Sequence, residues 1–184
     1  MAKRPSIIAE LKSQGIEFTH GPDNCIGFHG TSRGRAADIL KDGFDLSMAN
    51  PKAWFGQAFY FYDNAAFAAT KSAISWAVYG YHHFSDPASV EADLRFSLLL
   101  DLTTPNNGRN FWDLRGLLQR LTGDSDLEEQ DVCRFIGTKI AAELGSDGIA
   151  YNFTMQKPPA SRSRSDQKGR GFAVKKLKVI VSVR

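Results

Sequence analysis

The chain has only two cysteines, Cys25 and Cys133, far apart and in no Cys-x-x-Cys pairing. That excludes a disulfide framework and a cysteine zinc site, and leaves buried free thiols in a reducing compartment as the plain reading. No apolar run approaches the roughly eighteen residues that a membrane-spanning helix needs. The basic start, Met1-Ala2-Lys3-Arg4-Pro5-Ser6-Ile7-Ile8, has too short an apolar stretch for a secretory signal. The expectation is a cytoplasmic protein with no membrane contact. His20, His82 and His83 lie in apparent loops, without a His-Glu-x-x-His pattern or suitable acidic neighbours, so no metal site is expected.

Acidic residues are scarce at one end. From Lys157 to Arg184 there are nine Lys or Arg against one acid, Asp166, and the first 156 residues hold fourteen basic against nineteen acidic. The net charge of +3 hides this asymmetry. A basic tail on an acidic body fits an anionic partner, and fits equally a solubilising loop. What remains is ordinary globular material: 184 residues, 42% hydrophobic and 11% aromatic, enough for one domain over residues 1–184 with a real core.

The pattern alternates helices and strands. Ile7, Ile8 and Leu11 predict a short helix over Ser6 to Ser13, followed by turn signals at Gly15, Gly21-Pro22 and Asp23-Asn24. Cys25 to His29 reads as a buried strand ending at Gly30, and Ser32 caps a helix from Arg35 to Lys41 that Asp42-Gly43 stops. Phe59 to Tyr62 is a strand, and an Ala-rich helix covers about Ala65 to Tyr79. Ala92 to Leu102 reads as a strand and Thr103 to Asn110 as a loop. Leu114–Leu121 and Glu128–Leu144 read as helices, with Glu128 and Glu129 as first-turn acids. Gly148 to Phe153 is a strand, Lys157 to Arg170 a basic loop, and Val174 to Val183 a last strand. The basic loop lies between two strands and is an insertion within the domain.

Two stretches can carry chemistry. In Phe28-His29-Gly30-Thr31-Ser32 a strand delivers an imidazole to its own end, beside a glycine whose bare backbone a flat ligand can approach. Alone, a histidine at a strand end is more often a structural residue. In Trp54-Phe55-Gly56-Gln57-Ala58-Phe59-Tyr60-Phe61-Tyr62, six of nine residues are aromatic. Strand alternation places Tyr60 and Tyr62 on one face and Phe59 and Phe61 on the other, so a tyrosine faces a cleft if the phenylalanines face the core. A ring there can stack on a planar heteroaromatic.

Together these stretches resemble the ADP-ribosyltransferase superfamily, in its diphtheria-toxin-like and poly(ADP-ribose)-polymerase-like branch. The resemblance is carried by His29-Gly30-Thr31-Ser32, by Ile39 to Phe44, by Phe55-Gly56-Gln57-Ala58-Phe59-Tyr60-Phe61, by Asp63-Asn64 before the Ala-rich helix, and by Asp147-Gly148-Ile149-Ala150-Tyr151. It covers about Ile26 to Val183. It implies an α+β fold with split antiparallel sheets and flanking helices around an NAD cleft, and NAD as co-substrate. His29 and Tyr60 would be the catalytic pair, His29 meeting the ribose next to adenine and Tyr60 stacking near nicotinamide. Gly30, Thr31, Ser32, Arg33, Phe59 and Phe61 would complete the NAD site, the Gly30 backbone holding the carboxamide. Arg33 and Arg35 stand at a helix start where they would meet the pyrophosphate or face solvent. Arg162, Arg164, Lys168 and Arg170 of the basic loop would read an acceptor, nucleic acid slightly ahead of protein.

Three departures matter. Where the family has Glu-Tyr-x-Val, this chain has Gly171-Phe172-Ala173-Val174, and Asp166 or Gln167 are the only upstream substitutes. Ala58 replaces a second glycine of the aromatic motif. Lys71-Ser72 stands where a helix aromatic is expected, with Trp76 or Tyr79 as replacements or as core. The implied activity is mono-ADP-ribosyl transfer rather than chain elongation. The rivals are NAD-dependent removal of an RNA 2′-phosphate and an inactive module binding NAD, ADP-ribose or RNA.

Overall fold

The computed structural model describes residues 6–64, 69–80, 83–154 and 168–184; the side chains of 153, 154, 168 and 169 also lie outside what it describes. Helix α1 (Ile7–Ser13) starts where the Ser6 hydroxyl accepts from the amide of Ala9. Strand β1 (Gly21–Ser32) runs into helix α2 (Arg33–Asp42), capped by Ser32 and ended by Gly43 at φ +83°. Then come β2 (Phe59–Asp63), α3 (Ala69–Tyr79), β3 (Pro87–Asp101) and α4 (Pro105–Thr122). One helical stretch follows in three parts: α5 (Glu129–Phe135), a π turn (Ile136–Ile140) and α6 (Ala141–Leu144). Strands β4 (Gly148–Thr154), β5 (Lys168–Val174) and β6 (Ile180–Val183) complete it.

The architecture is mixed α+β. The strands pair in the order β1-β2-β5-β4-β3-β6, and β1 also pairs with β3, so five of them close a ring. This is one connected sheet with a parallel β3–β4 pair, where two separate antiparallel sheets were expected. Inside the ring lie Phe59, Phe61, Leu94, Phe96, Phe172 and Val174, with Phe96 stacked on Phe172 at 5.5 Å between centroids. Outside it, α4, α5 and the π turn bury Phe111, Leu114, Val132 and Ile136 against Ile149 and Ala173. Helix α3 covers Phe28 separately through Ala69 and Ala73.

Several boundaries correct the sequence reading. The expected turn at Gly21 to Asn24 lies inside β1, where a bulge between Gly21 and Asp23 absorbs the irregularity. The expected loop at Thr103 to Asn110 is mostly the first turns of α4, capped by Thr104 with Pro105 behind it. The last strand is broken: β5 ends at Val174, a short 3₁₀ turn spans Leu177–Val179, and β6 begins at Ile180. The break sits where the Lys175 amide donates to the Asp147 carbonyl and Lys176 Nζ donates to an Asp147 carboxylate oxygen at 3.0 Å.

Candidate functional site

The sheet forks at the histidine. β1 pairs with β3 from Gly21 to Ser32 but with β2 only through Gly27–Asp63 and Phe28–Tyr62. Beyond Phe28 the two strands follow different partners, β1 staying with β3 and β2 with β5. His29 bridges the opening: its Nδ1 lies 2.9 Å from the backbone carbonyl of Tyr60. A carbonyl only accepts, so Nδ1 carries the proton and Nε2 the lone pair of the neutral ring. Phe44, Phe59 and Phe61 surround the imidazole at 5.4, 5.6 and 5.6 Å between centroids.

The tyrosine ring lies on the other face of β2. Phe59 and Phe61 belong to the interior cluster, whereas Tyr60 packs against the cluster outside the ring of strands. The structure therefore joins His29 to the backbone of Tyr60 and does not bring the two rings together. The Tyr60 hydroxyl accepts from the Phe55 amide at 2.9 Å and donates to the Gly56 carbonyl at 3.2 Å. It fastens the 54–57 loop, which Lys175 Nζ also holds through the Phe55 carbonyl at 2.9 Å. Gly137 of the π turn lies against the same loop, since a Cβ there would sit 2.1 Å from the Phe55 carbonyl oxygen. Burial pushes the Tyr60 hydroxyl up, and pushes that of Tyr62 up to about 12, so both stay protonated at neutral pH.

Phe59 and Phe61, expected at the cofactor, are buried behind His29, Phe61 at 1% exposure. Gly30 meets α3: a Cβ there would lie 1.9 Å from the Ala73 carbonyl oxygen, so helix packing alone demands glycine. Ser89, opposite Gly30 on β3, has a buried hydroxyl with no hydrogen-bond partner among the described residues. Thr31 is buried, and Ser32 serves as the α2 cap through the Arg35 amide. The Arg33 amide donates to the Asp86 carbonyl, and its side chain is exposed. The Arg35 guanidinium lies over the Phe84 ring at 5.2 Å.

Gly171 sits between two tyrosines, opposite Tyr62 on β2 and Tyr151 on β4. The neighbouring Arg170 is half-buried and pairs with Asp23 at 2.8 Å, Asp63 at 3.1 Å and Asp101 at 2.8 Å, so β5 is tied to β1, β2 and β3. Its guanidinium also lies 4.8 Å from the Phe172 ring centroid. Burial alone would lower the Arg170 pKa; the Asp23 hydrogen bond and three carboxylate charges raise it instead. Among the described residues its ion pairs are thus with carboxylates of the fold. Arg162, Arg164, Asp166, Gln167 and the Lys168 side chain lie outside the described residues. Sequence reasoning missed this cluster, although Asp23, Asp63 and Asp101 each occupy an irregular or terminal position of a strand.

No helix among the described residues is long and apolar enough to cross a membrane. No family model matches the chain, and no curated protein matches it either.

Proposed function

We propose that this chain is a mono-ADP-ribosyltransferase of the ADP-ribosyltransferase fold, using NAD as co-substrate and a macromolecule as acceptor. One observation carries the reading: a strand fork where His29 spans the opening, its Nδ1 on the Tyr60 carbonyl. That bond holds the neutral ring in the Nδ1–H tautomer, in which Nε2 has the acceptor chemistry that a ribose hydroxyl donates to. Next to His29 in the chain, Gly30 packs against α3 with Ser89 opposite it on β3, and Arg33 is an exposed cation at the start of α2 that can meet a pyrophosphate.

The chemistry is substitution at an anomeric carbon. The bond from ribose C1′ to the nicotinamide nitrogen breaks, nicotinamide leaves with the electron pair, and an acceptor oxygen or nitrogen bonds to C1′ as its proton passes to solvent. Nicotinamide leaves readily, so orientation and exclusion of water matter more than protonation. Tyr60 supports the site through its carbonyl and through the 54–57 loop. Tyr62, half-buried on the same face of β2, is the ring next to Gly171.

A second reading is an inactive module that binds NAD, ADP-ribose or RNA. Gly171 favours it, because no carboxylate stands at that register position between Tyr62 and Tyr151. The deciding experiment is nicotinamide release from NAD by purified protein, with RNA, DNA or cell protein added. Release that His29→Ala abolishes supports the transferase. Calorimetric NAD binding without release supports the binding module.

A further inference from the structure

The side of α4 turned away from the core is built differently from an ordinary solvated helix face. Helical periodicity gathers Arg109, Trp112, Gly116 and Arg120 on one stripe, opposite the buried Asn107, Phe111 and Leu114. Trp112 is 55% exposed. It meets Phe111 edge-on at 5.2 Å, and the Arg115 guanidinium lies 5.6 Å from its ring centroid. Arg115 is itself fixed, donating to the Leu127 carbonyl from Nε at 3.2 Å and from a terminal nitrogen at 2.9 Å. A Cβ on Gly116 would lie 3.6 Å from a terminal nitrogen of Arg120, so that arginine lies back along the helix over the glycine. Arg109 and Arg120 are exposed and pair with no carboxylate among the described residues. The one acid of this stripe is Asp113.

We propose that this face of α4 binds single-stranded nucleic acid, with a base stacked on Trp112 and the backbone phosphates held by Arg109 and Arg120. More than half of the indole remains in solvent, and its flat ring can stack on any unpaired base. Guanidinium groups match phosphate oxygens in a fork geometry. The rise from Arg109 to Arg120 is about 16 Å, the reach of a few nucleotides. A duplex keeps its bases stacked and offers Trp112 no partner. A protein partner would call for apolar neighbours around the indole, and those present are cationic. The opposite side of α4 seats the helix over β4, where the Phe111 and Tyr151 rings lie 6.0 Å apart between centroids, so the Trp112 stripe points outward. The inference stands apart from the NAD reading, because oligonucleotide binding needs no NAD.

The test is fluorescence anisotropy with labelled oligouridylate, oligothymidylate and a duplex of matched length, over a range of salt. The two single strands distinguish RNA from DNA as the natural ligand, and both are expected to bind more tightly than the duplex. Trp112→Ala is expected to weaken binding about tenfold or more, and Trp112→Phe to restore most of it. The double substitution Arg109→Ala with Arg120→Ala should lower the slope of log affinity against log salt by about 1.4. Unchanged melting temperatures establish that these surface variants fold. The proposal is overturned if wild-type protein binds neither strand, if it prefers the duplex, or if all variants keep wild-type affinity and salt slope. The last result would assign binding elsewhere, such as the basic 157–170 segment. Nicotinamide release without acceptor is expected to be unchanged in these variants, so failure of this proposal and failure of the NAD reading register in separate assays.

Discussion

His29 and Tyr60 meet through a ring nitrogen and a backbone carbonyl, 2.9 Å apart, while their rings occupy opposite faces of β2. The contact replaces a ladder bond that the diverging strands no longer make, so it is structural and sets the tautomer at once. Long-range ¹H–¹⁵N correlation spectra should show the neutral His29 ring in the Nδ1–H form. Finding the Nε2–H form would remove the basis for assigning Nε2 to a ribose hydroxyl.

The same geometry divides the two residues in a mutational assay. His29→Ala removes the bridging ring and should abolish nicotinamide release. Tyr60→Phe keeps the carbonyl and the ring but loses the hydroxyl bonds to Phe55 and Gly56. It should cost about 1–2 kcal/mol of stability, because the Phe55 amide and Gly56 carbonyl lose a partner, and activity should fall far less than in His29→Ala. Equal losses from both substitutions would argue that the tyrosine hydroxyl touches substrate.

Gly30 offers a contrast with Gly34. At Gly30 a side chain collides with the backbone of α3, 1.9 Å from the Ala73 oxygen, and backbone cannot swing aside as a side chain can. Gly30→Ala should cost about 3 kcal/mol in urea unfolding by displacing α3. At Gly34, within α2, a Cβ meets nothing within 4 Å, so Gly34→Ala should stabilise by about 0.5–1 kcal/mol. A Gly30→Ala protein as stable as wild type would mean that α3 is not seated as described.

Arg170 is one positive charge among three negative ones. Arg170→Met removes the guanidinium that Asp23, Asp63 and Asp101 share, with Asp63 only 4% exposed. Loss of about 2–3 kcal/mol is expected, less than for a fully buried network because the guanidinium is partly solvated. Added salt should recover part of the loss by screening the carboxylates. A variant whose stability matches wild type at low salt would show that the cluster does not hold the strands.

Local signals account for most elements, and long-range closure for most of the surprises. The Ser32 cap, the Gly43 stop and the alternation in Phe59 to Tyr62 act within a few residues and are legible in the chain. The start of α4 is obscured because Asn106-Asn107-Gly108 looks like a turn. Its helix is secured by tertiary bonds instead: Asn107 Nδ2 donates to the Thr19 carbonyl at 2.7 Å and the Asp101 carbonyl at 2.9 Å. The apolar alternation from Val174 to Val183 contains no hint that Asp147, distant in sequence, anchors Lys175 and Lys176 and divides the strand. At the site, His29 and its glycine were legible. The side of β2 on which each ring falls was legible too, but not on which side the imidazole lies, since that depends on the β1–β2 register.

Cys25 and Tyr62 make the fold sensitive to alkali. Burial, then the charges of Asp63 and Asp23, push the Cys25 thiol up to about 12 from 9.0. Burial pushes Tyr62 up to about 12 from 10.0. The native state therefore holds these protons after the unfolded chain has lost them. Burial raises Cys133 and Tyr60 in the same direction, so the stability from these neutral groups is complete below about pH 9 and drains away as pH rises through the native values. The urea midpoint should fall steadily between about pH 9 and 11, and Cys25→Ala should flatten the early part of that fall. In the same pH range below 9, both Cys25 and the buried Cys133 should react with a thiol reagent far more slowly in native protein than in urea. Rapid native reaction of Cys25 near pH 8, or a flat midpoint to pH 11, would contradict a half-buried thiol kept protonated by burial and by the charges of Asp63 and Asp23.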